Sequence, residues 1–217
     1  MSALLFFDEQ RFQKALDQGK PVTVFRDAIQ AANTHFDNRF YEGEDIRTLV
    51  TERARFVDRL LHFVWQHFSL AEQAALVAVG GYGRVELHPH SDIDVLILLD
   101  SEPDADLRDK LERFITFLWD LNLNIGHSVR TIEECIQAAA DDITIVTNLL
   151  ESRTLEGNRL LRTEMRKKID TLNIWPSREF FHAKWQEQRD RHAKHNNTEY
   201  NLEPNIKETA GGLRDLH

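Results

Sequence analysis

The sequence predicts an α+β fold, a small mixed sheet with flanking helices and helical extensions at both ends, on three observations. Two short apolar runs, residues 76–79 and 93–99, have the length of strands rather than helices. The first stops at Gly80-Gly81, a natural turn. The stretches around them carry apolar residues at the three- and four-residue spacing of a helix.

Residues 8–69 read as helices, with Val57, Leu60, Leu61, Val64, Trp65 and Phe68 at helical spacing. The character changes at Leu76, where the first strand begins. After the second strand, residues 104–121 return to a helical period on Leu107, Leu111, Phe114, Ile115, Leu118 and Leu121, with acidic residues in the first turn. Residues 122–131 predict a third strand, 132–140 and 143–150 two helices, and 152–155 a further short strand before the Gly157-Asn158 turn. Helices are expected over 158–172 and 177–194, the latter opened by Pro176-Ser177, and a loop over 200–217. The expected division is a helical segment 1–70, a core 71–157 and a helical extension 158–217.

With 217 residues and 41% hydrophobic content, the chain can bury a core. Lysine and arginine total 27 against 36 acidic residues, a formal net charge of -9. That balance disfavours broad capture of nucleic acid or of an anionic membrane, while leaving room for a local basic pocket. The one cysteine, Cys135, permits no internal disulfide and gives no sign of an oxidising compartment. There is no basic leader, and no run of about 18 apolar residues that a membrane span requires. A cytoplasmic protein is expected.

The chemistry is carried by Ser91-Asp92-Ile93-Asp94. Alternation along a strand sends Asp92 and Asp94 to one face and Ile93 and Val95 to the other. Two carboxylates at the start of an apolar strand are costly to desolvate unless they bind cations or sit at an open strand end. Their hard oxygens suit magnesium or manganese, whose shells are completed by substrate phosphates. Upstream, Gly80-Gly81 let the backbone approach a triphosphate closely and offer it amide hydrogens, and Arg84 adds charge. Ten residues, Tyr82 to Ser91, separate the two signals, enough for a turn and a short helix. His88 and His90 precede the pair, but nothing nearby completes a tetrahedral zinc set. His182, His192 and His195 read as one solvated helical face.

Val79-Gly80-Gly81-Tyr82-Gly83-Arg84, Glu86-Leu87-His88-Pro89 and Ser91-Asp92-Ile93-Asp94 resemble the signature of the nucleotidyltransferase superfamily, the polymerase beta-like fold, in its PII uridylyltransferase branch. The resemblance continues through Gly126-His127-Ser128-Val129-Arg130-Thr131 and Thr147-Asn148-Leu149-Leu150-Glu151-Ser152-Arg153. It ends in Tyr200-Asn201-Leu202-Glu203-Pro204-Asn205-Ile206-Lys207 and Gly211-Gly212-Leu213-Arg214-Asp215. The carboxy-terminal stretches are the narrower signal, because many nucleotidyltransferases share the glycine and carboxylate motif.

The resemblance implies transfer of UMP from UTP to a tyrosine of the PII signalling protein, with release of pyrophosphate. Asp92 and Asp94 would hold Mg2+ or Mn2+. Gly80, Gly81, Arg84, Ser91, Lys207 and Arg214 would bind the nucleotide. A third carboxylate is usual in the superfamily; Glu151 and Asp142 are the candidates, and Glu151 is preferred, with a cap or an ion pair to Arg153 as its structural alternative. Family members also carry a phosphohydrolase domain that removes UMP and two ACT domains, all expected beyond His217, so the chain reads as a fragment. Two other readings fit the motifs: a nucleotidyltransferase using ATP on another target, and a noncatalytic nucleotide-sensing module.

Overall fold

The computed structural model describes residues 7–70, 73–170, 174–194 and 205–215. Three helices lead in: α1 (Glu9–Gln18), α2 (Pro21–Tyr41) and α3 (Ile46–His67). Asp8 caps the first through its side chain, and proline opens the second, where its missing N–H costs nothing. Strand β1 (Ala74–Ala78) runs directly into the single-turn helix α4 (Gly80–Gly83), and β2 (Ile93–Leu99) follows. The expected turn at Gly80-Gly81 is therefore itself the first half of a helix.

Helix α5 (Ala105–Asp120) crosses over to β3 (Ile125–Thr131). Helices α6 (Ile132–Asp141) and α7 (Ile143–Leu150), strand β4 (Arg153–Gly157), and helices α8 (Arg159–Lys168) and α9 (Ser177–Lys194) complete the order, with a 3-10 turn at Leu213–Asp215. Side-chain caps explain most of these starts. Asp104 accepts from the Leu107 amide, Thr131 and Glu134 form a reciprocal capping box, and Asn158 accepts from the Leu160 amide.

The four strands lie in the order β3-β2-β1-β4. β2 and β3 are parallel, joined by the α5 crossover, and the other pairs are antiparallel, which gives the expected mixed sheet. Both faces are covered. Ile93, Val95, Ile97 and Leu99 of β2 pack with α1, α2, α3 and α5, whereas Leu96 and Leu98 pack with α6, α7 and α8. The lead-in helices thus share a continuous core with one face of the sheet. In β2 every residue is buried except Asp94, a gap in the opposite face that opens the site to solvent. Among the described residues no helix is long and apolar enough to cross a membrane.

Candidate active site

Asp92 and Asp94 are both exposed, flanking buried Ile93, so alternation puts the two carboxylates on the α6–α8 side of β2. Gly126 makes room for Asp94, and Gly80 borders it. A β-carbon on Gly126, its register partner on β3, would lie 2.3 Å from Asp94 Oδ1. One on Gly80 would lie 3.7 Å from Asp94 Oδ2 and 3.7 Å from Asn148 Oδ1. Gly80 also adopts a φ of 58°, the left-handed region that favours glycine. The Val79 amide donates to the Asp94 carbonyl at 3.1 Å, locking the entry of α4 to the carboxylate strand.

Burial, and then the neighbouring Asp92 charge, push the Asp94 carboxyl above its ordinary range, while Lys207 pulls it back. The C-terminal segment therefore brings a cation close enough for its charge to be felt at Asp94. The donor set is all oxygen and mutually repelling, a charge distribution that a hard divalent cation relieves. Among the described residues no three His, Cys, Asp or Glu side chains come together as a metal-binding group. Two carboxylates suffice for magnesium, which keeps water and substrate phosphates as its remaining ligands.

Glu151 is not brought into a metal cluster with this pair. Its Oε2 accepts from Arg84 Nη1 at 2.6 Å, and Arg84 Nε donates to Glu86 at 3.1 Å. Burial works against the Arg84 charge, yet the two carboxylates leave its pKa raised. Arg84 Nη2 still sits 3.7 Å from where a β-carbon of Gly81 would be, so the guanidinium borders the glycine turn. Asp142, the other candidate third carboxylate, caps α7 by accepting from the Thr144 amide at 2.7 Å. Arg153 pairs with Asp58 rather than Glu151.

Ser91 is exposed, its amide donating to the His88 carbonyl at 3.1 Å. Arg214 pairs with Glu208 at 3.3 Å and stays half exposed. The residues 200–204 of the terminal signature lie outside the described residues, as does His195. His192 departs from the expected solvated face, its Nε2 donating to Asp215 Oδ2 at 2.9 Å. Cys135 is buried, and burial pushes its thiol up to about 11, in keeping with a packed bystander. Asn148 and Gly126 are site residues that alternation and spacing did not single out, although both fall in quoted motif stretches.

A nucleotidyltransferase domain family matches residues 57–157, the stretch that holds α4 and the carboxylate strand. The GlnD PII-uridylyltransferase family matches residues 179–217. The chain is 52% identical over 213 residues to a bifunctional uridylyltransferase/uridylyl-removing enzyme of Pseudomonas fluorescens (strain SBW25), covering 97% of this chain and 24% of that protein. The chain is a relative of the PII-uridylyltransferases. The same description and coverage apply to a relative from Pseudomonas syringae pv. tomato (strain ATCC BAA-871 / DC3000), at 51% identity. This chain therefore spans about a quarter of the length of these relatives. A crystal structure of a toxin-antitoxin with AMP-PNP aligns over 64% of this chain and 95% of its own at 14% identity, with a TM-score of 0.35.

Proposed function

We propose that the chain transfers UMP from UTP to a tyrosine hydroxyl of the PII signalling protein, releasing pyrophosphate, with Mg2+ or Mn2+ held by Asp92 and Asp94. The observation that carries this reading is the contact of α4 with the carboxylate strand: Gly80, in a left-handed conformation, meets Asp94 Oδ2 with no side chain between them. Phosphates bound on the backbone of that turn would lie beside the acidic pair.

The first turn of a helix leaves amide hydrogens without intrahelical partners, and in α4 they belong to glycine-rich backbone that a phosphate can approach closely. Arg84, held by Glu151 and Glu86, borders the same turn, and Lys207 supplies a further positive charge beside Asp94. In this reading Ser91 and Arg214 would add polar contacts to the nucleotide. Asp92 and Asp94 would hold a divalent ion whose chemistry, when bound, would be to lower the pKa of the incoming hydroxyl, with a second ion neutralising charge on the leaving pyrophosphate. The chain's own share of catalysis is positioning and electrostatic stabilisation.

Incubating the chain with PII protein, labelled UTP and Mn2+ tests the reading. Label on a PII tyrosine, lost in Asp92→Asn and Asp94→Asn, is the expected result. Label taken from ATP in preference to UTP, or transfer indifferent to both substitutions, overturns it.

A further inference from the structure

Helix α4 contains three glycines and one tyrosine, so its only side chain is that of Tyr82. Glycine is among the poorest helix formers, and a single turn cannot nucleate on its own in water. The position of the phosphate-facing turn must therefore be imposed from behind it. Tyr82 is 2% exposed, and its hydroxyl donates to Asp58 Oδ1 of α3 at 2.6 Å. Asp58 in turn accepts from both terminal nitrogens of Arg153, at the start of β4, each at 2.8 Å. The same guanidinium lies 5.1 Å from the centre of the Tyr82 ring and donates to the Tyr82 carbonyl at 3.3 Å. Arg153 thus grips both the ring and the backbone of Tyr82, tying α3 and β4 to α4.

We infer that Asp58, Tyr82 and Arg153 are positioning residues that set the depth of the Gly80–Gly83 turn against Asp94, and so the placement of the nucleotide phosphates. The inference rests on the nucleotidyltransferase reading of the site.

Two costs argue that geometry, rather than stability, is what the network supplies. Arg153 Nε is buried with no hydrogen-bond partner. Val85, just past the turn, holds a φ of 66°, an outlying conformation for a β-branched residue. Asp58 and Arg153 are about a quarter exposed, and ion pairs drawn partly out of water are seldom more stabilising than a well-packed apolar replacement. On the other side, α4 is pressed against the carbonyl of Glu151, which a β-carbon on Gly83 would approach to 2.6 Å. The turn is held between Glu151 and the Tyr82 network, with little freedom to shift. Burial and the adjoining Asp58 charge raise the Tyr82 pKa well above its ordinary value, which keeps the hydroxyl a donor.

Tyr82→Phe keeps the ring and removes one donor, Asp58→Asn keeps the shape and removes the charge, and Arg153→Lys keeps a cation and loses the fork. Mn2+-dependent UTP binding by calorimetry, the KM values for UTP and for the acceptor protein, kcat and the thermal midpoint are measured for each. In Tyr82→Phe and Asp58→Asn the expected result is UTP affinity lower by about tenfold with the acceptor KM unchanged. The double variant Tyr82→Phe/Asp58→Asn should be no worse than Asp58→Asn, because both act through one contact. Unchanged UTP affinity in the folded variants, whatever their thermal midpoints, overturns the inference; if Tyr82→Phe does not fold, Arg153→Lys carries the same comparison. A wild-type chain that binds neither UTP nor ATP overturns the nucleotidyltransferase reading and the positioning role with it. Wild-type binding with indifferent variants overturns the positioning role alone.

Discussion

Arg84 and Glu151 form an ion pair of 2.6 Å at the edge of the glycine turn, so the carboxylate sequence motifs offered as a third metal ligand is engaged by a guanidinium. Glu151 then acts through Arg84, and its substitution should be milder than that of the acidic pair. Glu151→Gln is expected to lower kcat/KM by about thirtyfold, the roughly 2 kcal/mol scale of one charge-assisted hydrogen bond, with the Mn2+ requirement unchanged. Steady-state rates across a Mn2+ titration check it. A loss as deep as that of Asp94→Asn, with a raised Mn2+ requirement, would place Glu151 on the metal.

Asp94 carries the opposite signature. Its carboxyl is raised by burial and by Asp92, so the charged form is disfavoured in the fold. A group with a folded pKa above its unfolded value contributes most stability below the unfolded pKa and loses it as pH rises through the folded pKa. At neutral pH the ionised Asp94 is therefore a burden on the metal-free protein. Asp94→Asn should raise the metal-free thermal midpoint while cutting transfer by about a thousandfold, the several kcal/mol that a catalytic metal supplies. Thermal scans with and without Mn2+, set beside transfer rates, test both halves.

Gly126 gives a sharper steric test. A β-carbon there would stand 2.3 Å from Asp94 Oδ1, closer than any real contact allows, and the backbone of β3 has no conformational need for glycine at this point. Gly126→Ala should leave the sheet intact and push the carboxylate aside. A displacement of about 1 Å at a reacting centre can cost about a hundredfold in rate. The expected signature is lower metal affinity and kcat with a thermal midpoint near that of the wild type.

The acidic pair was legible because strand alternation is a local rule: buried Ile93 and Val95 force Asp92 and Asp94 onto the other face. The mixed sheet was legible from the same short apolar runs. The helical start at Gly80 was not, since local propensity reads two glycines as a turn, and it is the distant hold on Tyr82 that overrides it. Arg153 illustrates the limit. Its nearest acid in sequence is Glu151, but its partner Asp58 lies 95 residues away, a pairing only the fold creates. His192 looked like part of a solvated helical face for a similar reason: α9 carries no apolar stripe, and the segment that covers His192 is bound by polar contacts.

Those polar contacts anchor the segment that bears Lys207. Asp215 accepts from Arg191 at 2.6 Å, from His192 at 2.9 Å, from Gln188 at 3.1 Å and from the Gly211 amide at 2.8 Å. The Arg214 amide donates to the Lys207 carbonyl at 3.1 Å, so fixing Asp215 fixes the backbone of Lys207. Burial opposes the Asp215 charge, but the bonds from Gln188, Arg191, Gly211 and His192 outweigh it and hold the carboxyl well below the usual range. A depressed folded pKa gives stability that is present above the unfolded aspartate pKa and is lost as pH falls through the folded value. Docking of residues 205–215 should accordingly weaken only in strong acid. Asp215→Asn should weaken it at neutral pH by about 2 kcal/mol, the scale of hydrogen bonds to a charged group. Faster hydrogen exchange over 205–215 is the structural readout. UTP affinity should fall in both Asp215→Asn and Lys207→Ala, and the double variant should add little, because both remove the same charge from the neighbourhood of Asp94. Full additivity of the two losses would separate the anchor from Lys207.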